Sequence, residues 1–208
     1  MKITKIMRQK YRRRYYSVFI DAKFSFHIDL GLLSDSGIKE GESISKKRLD
    51  EIVCSQRRKE AQDYAYLLLS YRDRSKKEIK ARLKRKKYPE SVISEVLYKL
   101  ENEGYINDYI YASSWIKSRL REKPRGRKLL FLELIQKGIH RETIDKALGE
   151  HFPDSFDEAE LAKRALEKKL PSYKKLDEKT AKRRIQSFLL RRGFSYDAIR
   201  EICDEELE

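Results

Sequence analysis

Residues 79–88 (IKARLKRKKY), 130–139 (LFLELIQKGI) and 185–194 (IQSFLLRRGF) are three copies of one pattern. Each places apolar side chains four residues apart: Ile79 and Leu83, Leu130 and Leu134, Ile185 and Leu189. Each then reaches a stop position at Lys87, Gly138 or Gly193, followed by Tyr88, Ile139 or Phe194. The spacing of four is the helical period, and glycine is the residue that lets a helix end in left-handed backbone. The stops lie 51 and then 55 residues apart, at positions 87, 138 and 193.

Working outward, the match continues on both sides. Downstream, Ile93 and Val96 correspond to Ile144 and Ala147, and to Ile199 and Ile202. Upstream, each copy opens with a helical stripe: Ala61, Tyr64, Ala65 and Leu68; then Tyr111, Ala112, Trp115 and Ile116; then Leu161, Ala162, Ala165 and Leu166. The unit is therefore three short helices, and the longer third copy takes its extra residues in a loop around Pro171–Asp177. The punctuation agrees. Ser75 and Glu78 have capping-box spacing, Pro89 suits a first helical turn, Gly104 suits a left-handed stop and Asp108 suits a cap. Lys87 stands where the other copies have glycine, at a cost of up to about 1 kcal/mol if its backbone is left-handed. A three-helix unit buries little by itself, so neighbours are expected to stack into an elongated, curved chain.

The front end differs. Tyr15–Ile20 and Phe24–Ile28 are rich in aromatic and β-branched residues, with Asp21-Ala22-Lys23 as a tight connection and Lys2–Met7 as a third strand. Asp-Ala is a poor hairpin turn by composition. Residues 31–41 read as a loop with at most one helical turn, and the helical pattern starts at Ser45. The expected fold is mainly α: tandem three-helix repeats with a small N-terminal antiparallel β extension. The expected divisions are 1–44, 45–106, 107–152 and 153–208.

Composition narrows the class. The chain has 208 residues and a net charge of +15, with 40% charged and 39% hydrophobic residues; 13 Tyr, 8 Phe and 1 Trp supply core anchors. Charge falls unevenly: +5 over residues 1–55, +8 over 56–100, +3 over 101–149 and −1 beyond. A basic middle points to a polyanion or to plain solubility. No run of about 18 apolar residues offers a membrane span, and no apolar core follows the basic start as in a signal peptide. Two cysteines, Cys54 and Cys203, are too few for a disulfide scaffold, so a reducing cytosol is the expected compartment. Cys54 is expected to be buried or half-buried.

Three segments carry a family resemblance: residues 74–83, residues 104–112 (GYINDYIYA), and Gly126 through Glu133, Leu134, Gly138 and Ile139. They resemble the RecX family of bacterial regulatory proteins over roughly residues 55–205, and the β-rich front end is similar to an extension found in one branch of that family. The matched motif residues are Gly104, Tyr105, Asp108, Tyr111, Ala112, Glu133, Leu134 and Gly138, mostly structural, and Lys87 is the departure. The resemblance implies a non-enzymatic modulator of the RecA recombinase, without cofactor or metal. Such proteins bind the RecA nucleoprotein filament on single-stranded DNA, and duplex DNA is a further possible partner. They lie in the filament groove and inhibit ATP hydrolysis, strand exchange and coprotease activity. A cytoplasmic monomer is expected.

The residues supply candidates of their own. Arg72, Arg74, Lys76, Lys77, Lys80, Lys84 and Arg85 belong to ten cations packed between positions 72 and 87, while Ile79 and Leu83 face inward. A phosphate backbone rewards such a face through counterion release; otherwise it is a solvated surface. Arg125, Arg127 and Lys128 echo it in the second unit, and Lys182, Arg183, Arg184 and Arg191 in the third, as a stripe. The cluster Arg8, Lys10, Arg12, Arg13 and Arg14 either contacts DNA or guards a sheet edge. Tyr111 and Trp115 read as core, and Tyr71 as exposed and suited to base stacking. The acidic end, Asp204 to Glu208, reads as a solvated tail or a contact for a basic partner. His27, His140 and His151 lack metal-ligand spacing, and no phosphate-cradling or dinucleotide glycine motif is present. The alternative function is a stand-alone DNA-binding protein using one unit as a helix-turn-helix reader.

Overall fold

The computed structural model describes residues 1–207; Glu208, the last residue of the acidic end, lies outside the described residues. The chain divides into two compact units, one formed by residues 1–72 and 80–102, the other by 73–79 and 103–208.

In the first unit, β1 (Ile3–Arg8), β2 (Tyr15–Ile20) and β3 (Lys23–Asp29) form an antiparallel sheet in the order β1-β2-β3. Asp21 and Ala22 make the β2–β3 turn with φ of 47° and 60°. Two consecutive positive φ angles are what a right-twisted two-residue hairpin demands. Tertiary context thus imposes on Asp-Ala the geometry its composition disfavours. Lys2 N–H donates to Asp21 Oδ1 at 2.8 Å, and Ala22 N–H donates to Thr4 Oγ1 at 3.0 Å, fixing the turn against β1. Residues expected as a loop form the helix α1 (Leu30–Ser36), capped by Asp29 and ended by left-handed Gly37. Ile3, Val18, Ile20, Phe26 and Ile28 build a core with Ile38, Ile44 and Ile52.

Helix α2 (Lys46–Tyr71) starts at the Ser45 cap and runs unbroken for 26 residues. Its Ile52 joins the sheet core, while Ala61, Ala65 and Leu68 are buried further along, where α2 packs on α4 (Glu90–Asn102). One helix therefore serves both the sheet and the first repeat. Helix α3 (Lys76–Arg85) lies between them in sequence and contributes residues to both units.

The second unit holds α5 (Asp108–Glu122), α6 (Arg127–Gln136) and α7 (Arg141–His151), then α8 (Glu158–Leu166), a short α9 (Leu170–Tyr173), α10 (Glu178–Arg191) and α11 (Tyr196–Leu207). The expected extra loop of the third repeat contains α9. Repeat-equivalent residues occupy equivalent depth: Ile79, Leu83, Leu130, Leu134, Ile185 and Leu189 are all fully buried, as are Ile93, Val96, Ile144 and Ala147. Each of the Ile, Leu and Val side chains contributes roughly 1.5–3 kcal/mol relative to exposure.

The junctions between repeats explain the stop positions. Ser75, at the start of α3, is fully buried and donates from Oγ to the Lys137 carbonyl at 2.7 Å, while Lys77 Nζ donates to the Gln136 carbonyl at 3.1 Å. One repeat on, Gly126 N–H donates to the Arg192 carbonyl at 2.9 Å and Lys128 N–H to the Gly193 carbonyl at 3.3 Å. Ser75 and Gly126 are equivalent positions, as are Gly138 and Gly193. In both junctions the start of one repeat's second helix satisfies carbonyls left open at the end of the next repeat's second helix. A β-carbon on Gly193 would collide with the Leu129 backbone, and one on Gly138 with the Lys77 side chain; both glycines also have φ of +81°. Lys87 shares their left-handed backbone, at φ 61°, and its side chain is exposed. It bears the conformational cost without the steric one.

Two cap expectations shift. Asn107, not Asp108, caps α5, accepting from the Tyr109 and Ile110 N–H groups at 3.0 Å each. Asp108 is the first helical residue and accepts instead from Lys76 N–H at 3.1 Å. Ser75 caps α3 by accepting from Glu78 N–H at 3.3 Å, but the Glu78 carboxylate leaves the expected box to pair with Lys137 at 2.7 Å.

Candidate functional site

The cations singled out from sequence fall into three groups. The first is committed internally. Lys77 closes the end of α6, as described above. Lys80 and Lys84 both reach Glu90 at the start of α4, Lys84 at 3.5 Å; their cations hold that carboxyl below its ordinary range, the Lys80 hydrogen bond most. Lys182 pairs with Asp204 at 3.4 Å. Arg125 is half-buried against Glu133, so it is not part of an outward stripe. Desolvation and the nearby Arg119 and Arg192 lower its pKa, and Glu133 is the counter-charge for this crowded set.

The second group faces solvent with no ion pair among the described residues: Arg85 on α3, Arg127 and Lys128 on the first turn of α6, and Arg183, Arg184 and Arg191 on α10. Lys128 lies over the Tyr196 ring at 5.6 Å. Lys86, outside the chosen set, covers Tyr64 at 5.4 Å. The third group, Arg72, Arg74 and Lys76, sits between α2 and the first turn of α3; Arg74 is half-buried, whereas Arg72 and Lys76 are exposed.

The N-terminal arginines are mixed in role. Arg8 Nε donates to the Arg13 carbonyl at 2.9 Å and braces the β1–β2 loop, and Arg14 approaches Asp29 at 3.9 Å. Arg12, Arg13 and Arg14 line an open cleft of about 590 Å³ with Tyr15, Tyr88, Glu60 and Asp63. Burial, then Asp63 for Tyr15 and Glu60 for Tyr88, pushes both phenols above their ordinary value. Carboxylates within the cleft make it a poor phosphate cradle.

Most of the motif residues are packed or paired within the fold. Glu133, almost buried, accepts from Trp115 Nε1 at 2.8 Å and Arg119 Nε at 3.4 Å as well as holding Arg125. Tyr111 is buried and stacked on Trp115 with ring centroids 6.1 Å apart. Trp115, expected in the core, is only half-buried: Arg119 and Lys137 cover its indole at 4.2 and 4.8 Å. Gly104 takes the expected left-handed turn at φ 77°, Ala112 and Leu134 are fully buried, and Tyr105 is exposed. Tyr71 is 76% exposed, as a stacking residue needs to be.

Two further expectations are corrected. Cys54 is exposed, because it falls on the outer side of α2; Cys203 is the buried thiol, and burial raises its pKa. The acidic end is no solvated tail through Leu207. It is the last part of α11, with Glu205 and Glu206 paired to Lys163 and Glu206 to Lys174 at 2.8 Å. Among the described residues no group of three or more His, Cys, Asp or Glu side chains is placed to hold a metal ion, and no helix is long and apolar enough to cross a membrane.

Sequence reasoning missed Arg119, Lys137 and Glu90, which neutralise or shield the chosen residues. Only the spacing of four between Trp115 and Arg119 hinted at the first.

Family models match along the chain in order: the RecX N-terminal domain at residues 1–45, and the first, second and third RecX three-helix domains at 61–100, 107–148 and 157–203. A regulatory protein RecX from Bacillus subtilis is 35% identical over 98% of this chain and 76% of its own length. One from Listeria monocytogenes is 30% identical over 99% and 76%. A crystal structure of regulatory protein RecX superposes with a TM-score of 0.75 at 29% identity, covering 98% of both chains. A RecX structure from Lactobacillus salivarius gives 0.65 at 29% identity, covering 73% of this chain and 97% of that one. With all four domain models matched in order and relatives aligned over nearly its whole length, the chain belongs to the RecX family of regulatory proteins.

Proposed function

We propose that this protein is a non-enzymatic, cytoplasmic, monomeric regulator that binds the RecA filament on single-stranded DNA and inhibits its ATPase, strand-exchange and coprotease activities, thereby modulating DNA repair and recombination. The observation that carries this reading is the ordered match of all four RecX domains. Its mechanism is binding: successive three-helix modules engage successive protomers of the polymer while cations touch nearby phosphates.

The cations best suited to that contact are Arg85, Arg183, Arg184 and Arg191, which have no ion pair among the described residues; Arg72, Arg74 and Lys76 at the α2–α3 connection stay in the set. Lys80 and Lys84 share one carboxylate, so two cations there carry a net charge near +1 with Glu90 included. Arg125 is withdrawn from the set.

A gel-shift series at rising salt tests this, using a labelled oligo-dT with and without RecA. DNA binding by the protein alone should be modest and unselective, with log affinity falling by roughly 0.7 per contacted phosphate for each decade of salt. Adding RecA should give a slower ternary band. Tight, sequence-selective duplex binding that ignores RecA would instead identify a helix-turn-helix reader.

A further inference from the structure

The second and third repeats each carry a groove between their second and third helices. The α6–α7 groove has a floor of Phe131, Leu132 and Leu148 and a rim of Arg127, Lys128 and Arg141. The α10–α11 groove is lined by Lys182, Leu190, Tyr196, Ile199 and Arg200. Repeat spacing places Lys182 on Arg127, Tyr196 on Arg141 and Arg200 on Asp145, so the two grooves hold the same place in their repeats, but Gln186 and Ser187 stand where α6 has Phe131 and Leu132, and the apolar floor belongs to α6–α7. The two also touch, since Lys128 from one rim lies over the Tyr196 ring of the other. In the first repeat the corresponding place is occupied by charge: Lys80 and Lys84, at the positions of Phe131 and Ile135, bridge to Glu90.

On α6 Leu132 is 56% and Ile135 40% exposed, and on α10 Leu190 is 41% exposed, large aliphatic side chains that a solvated helix does not require. Arg141 is balanced in part by Asp145 at 3.7 Å, but Arg127 and Lys128 have no ion pair among the described residues. The richer groove is therefore α6–α7: apolar floor, positive rim.

We propose that the α6–α7 groove is the protein-docking surface of this regulator and takes an acidic amphipathic helix of its partner. An apolar stripe fills the floor, and flanking carboxylates meet Arg127 and Lys128. This rests on the reading of RecA as the partner and divides the surface: protein on the α6–α7 groove, nucleic acid on Arg85 of α3 and on Arg183, Arg184 and Arg191 of α10.

The test uses the full chain and its Leu132→Glu variant, which alters an exposed side chain. Two probes are a labelled 18-residue helical peptide with leucine on one face and glutamate elsewhere, and RecA filaments on poly-dT held with a non-hydrolysable nucleotide. Wild type should bind the peptide, and the variant at least tenfold more weakly, with unchanged oligo-dT affinity and thermal midpoint. Co-sedimentation with filaments should weaken in parallel. Equal co-sedimentation of both proteins would overturn the groove and leave RecA as the partner. If neither protein co-sediments, RecA is not the partner, and the peptide decides the groove: selective binding by wild type upholds it and no binding overturns it. Equal binding of a scrambled peptide of the same composition, displacement of the peptide by oligo-dT, or wild-type self-association abolished by the variant would each overturn it, as non-specific charge, a nucleic-acid site or a homodimer face.

Discussion

Replacing Gly193 by alanine tests the junction between the second and third repeats. Gly193 is buried, has φ +81°, and lies where a β-carbon would meet the Leu129 backbone rather than a yielding side-chain tip. Left-handed alanine costs about 1 kcal/mol. The steric conflict then pushes the start of α6 off the end of α10, where Gly126 N–H meets the Arg192 carbonyl and Lys128 N–H the Gly193 carbonyl. Losing those two bonds adds about 1 kcal/mol each, for a total near 3 kcal/mol. Trp115 is the sole tryptophan and belongs to the second unit, so urea unfolding followed by its fluorescence reports on that unit. Gly149→Ala is the control: it lies within α7, a β-carbon there meets open space, and removing a helix glycine should stabilise by about 0.5–1 kcal/mol. A Gly193→Ala midpoint matching wild type, with unchanged slope, would refute the junction as described.

Lys87→Gly should move the other way, stabilising the first unit by up to about 1 kcal/mol in far-UV denaturation, because it relieves a left-handed lysine with no neighbour to displace. Glu133→Gln should cost about 2–3 kcal/mol by the same fluorescence titration, since Arg125 and Arg119 lose their shared carboxylate in a nearly buried setting. His151 is lowered first by burial and then by Lys117, and its Nε2 is 2.8 Å from Ser113 Oγ. The unfolded chain therefore binds the proton more readily, so stability is full above about pH 6.5 and falls as pH drops below it; His151→Gln should flatten that limb of a pH–stability curve. Arg183→Glu with Arg184→Glu should reduce the salt slope of oligo-dT binding by roughly 0.7 per lost phosphate contact while leaving thermal unfolding nearly unchanged.

The repeat was legible because its buried residues recur at helical spacing: Ile79, Leu130 and Ile185 needed only alignment to be placed in the core. The junctions were half legible. Gly138 and Gly193 announced helix stops, but the partner that makes them obligatory comes from the preceding repeat, a contact no local pattern encodes. Asn107 displaced Asp108 as cap because both residue types fit, and only the start of α3 beside Asp108 decided between them. The charged surface was the least legible. Cations within one stretch look alike in sequence, yet Glu90 claims Lys80 and Lys84, Glu133 withdraws Arg125, and α11 ties its own acidic end to Lys163, Lys174 and Lys182. The apolar groove escaped notice because nothing in the local pattern separates the exposed Leu132 and Ile135 from their buried neighbours Leu130 and Leu134.

The most direct measurement is a titration of this protein into RecA hydrolysing ATP on single-stranded DNA. Progressive suppression at substoichiometric protein, strongest at low salt, is the result predicted for modules that engage a polymer at successive subunits. Undiminished hydrolysis at molar excess of a folded, DNA-competent preparation would contradict it.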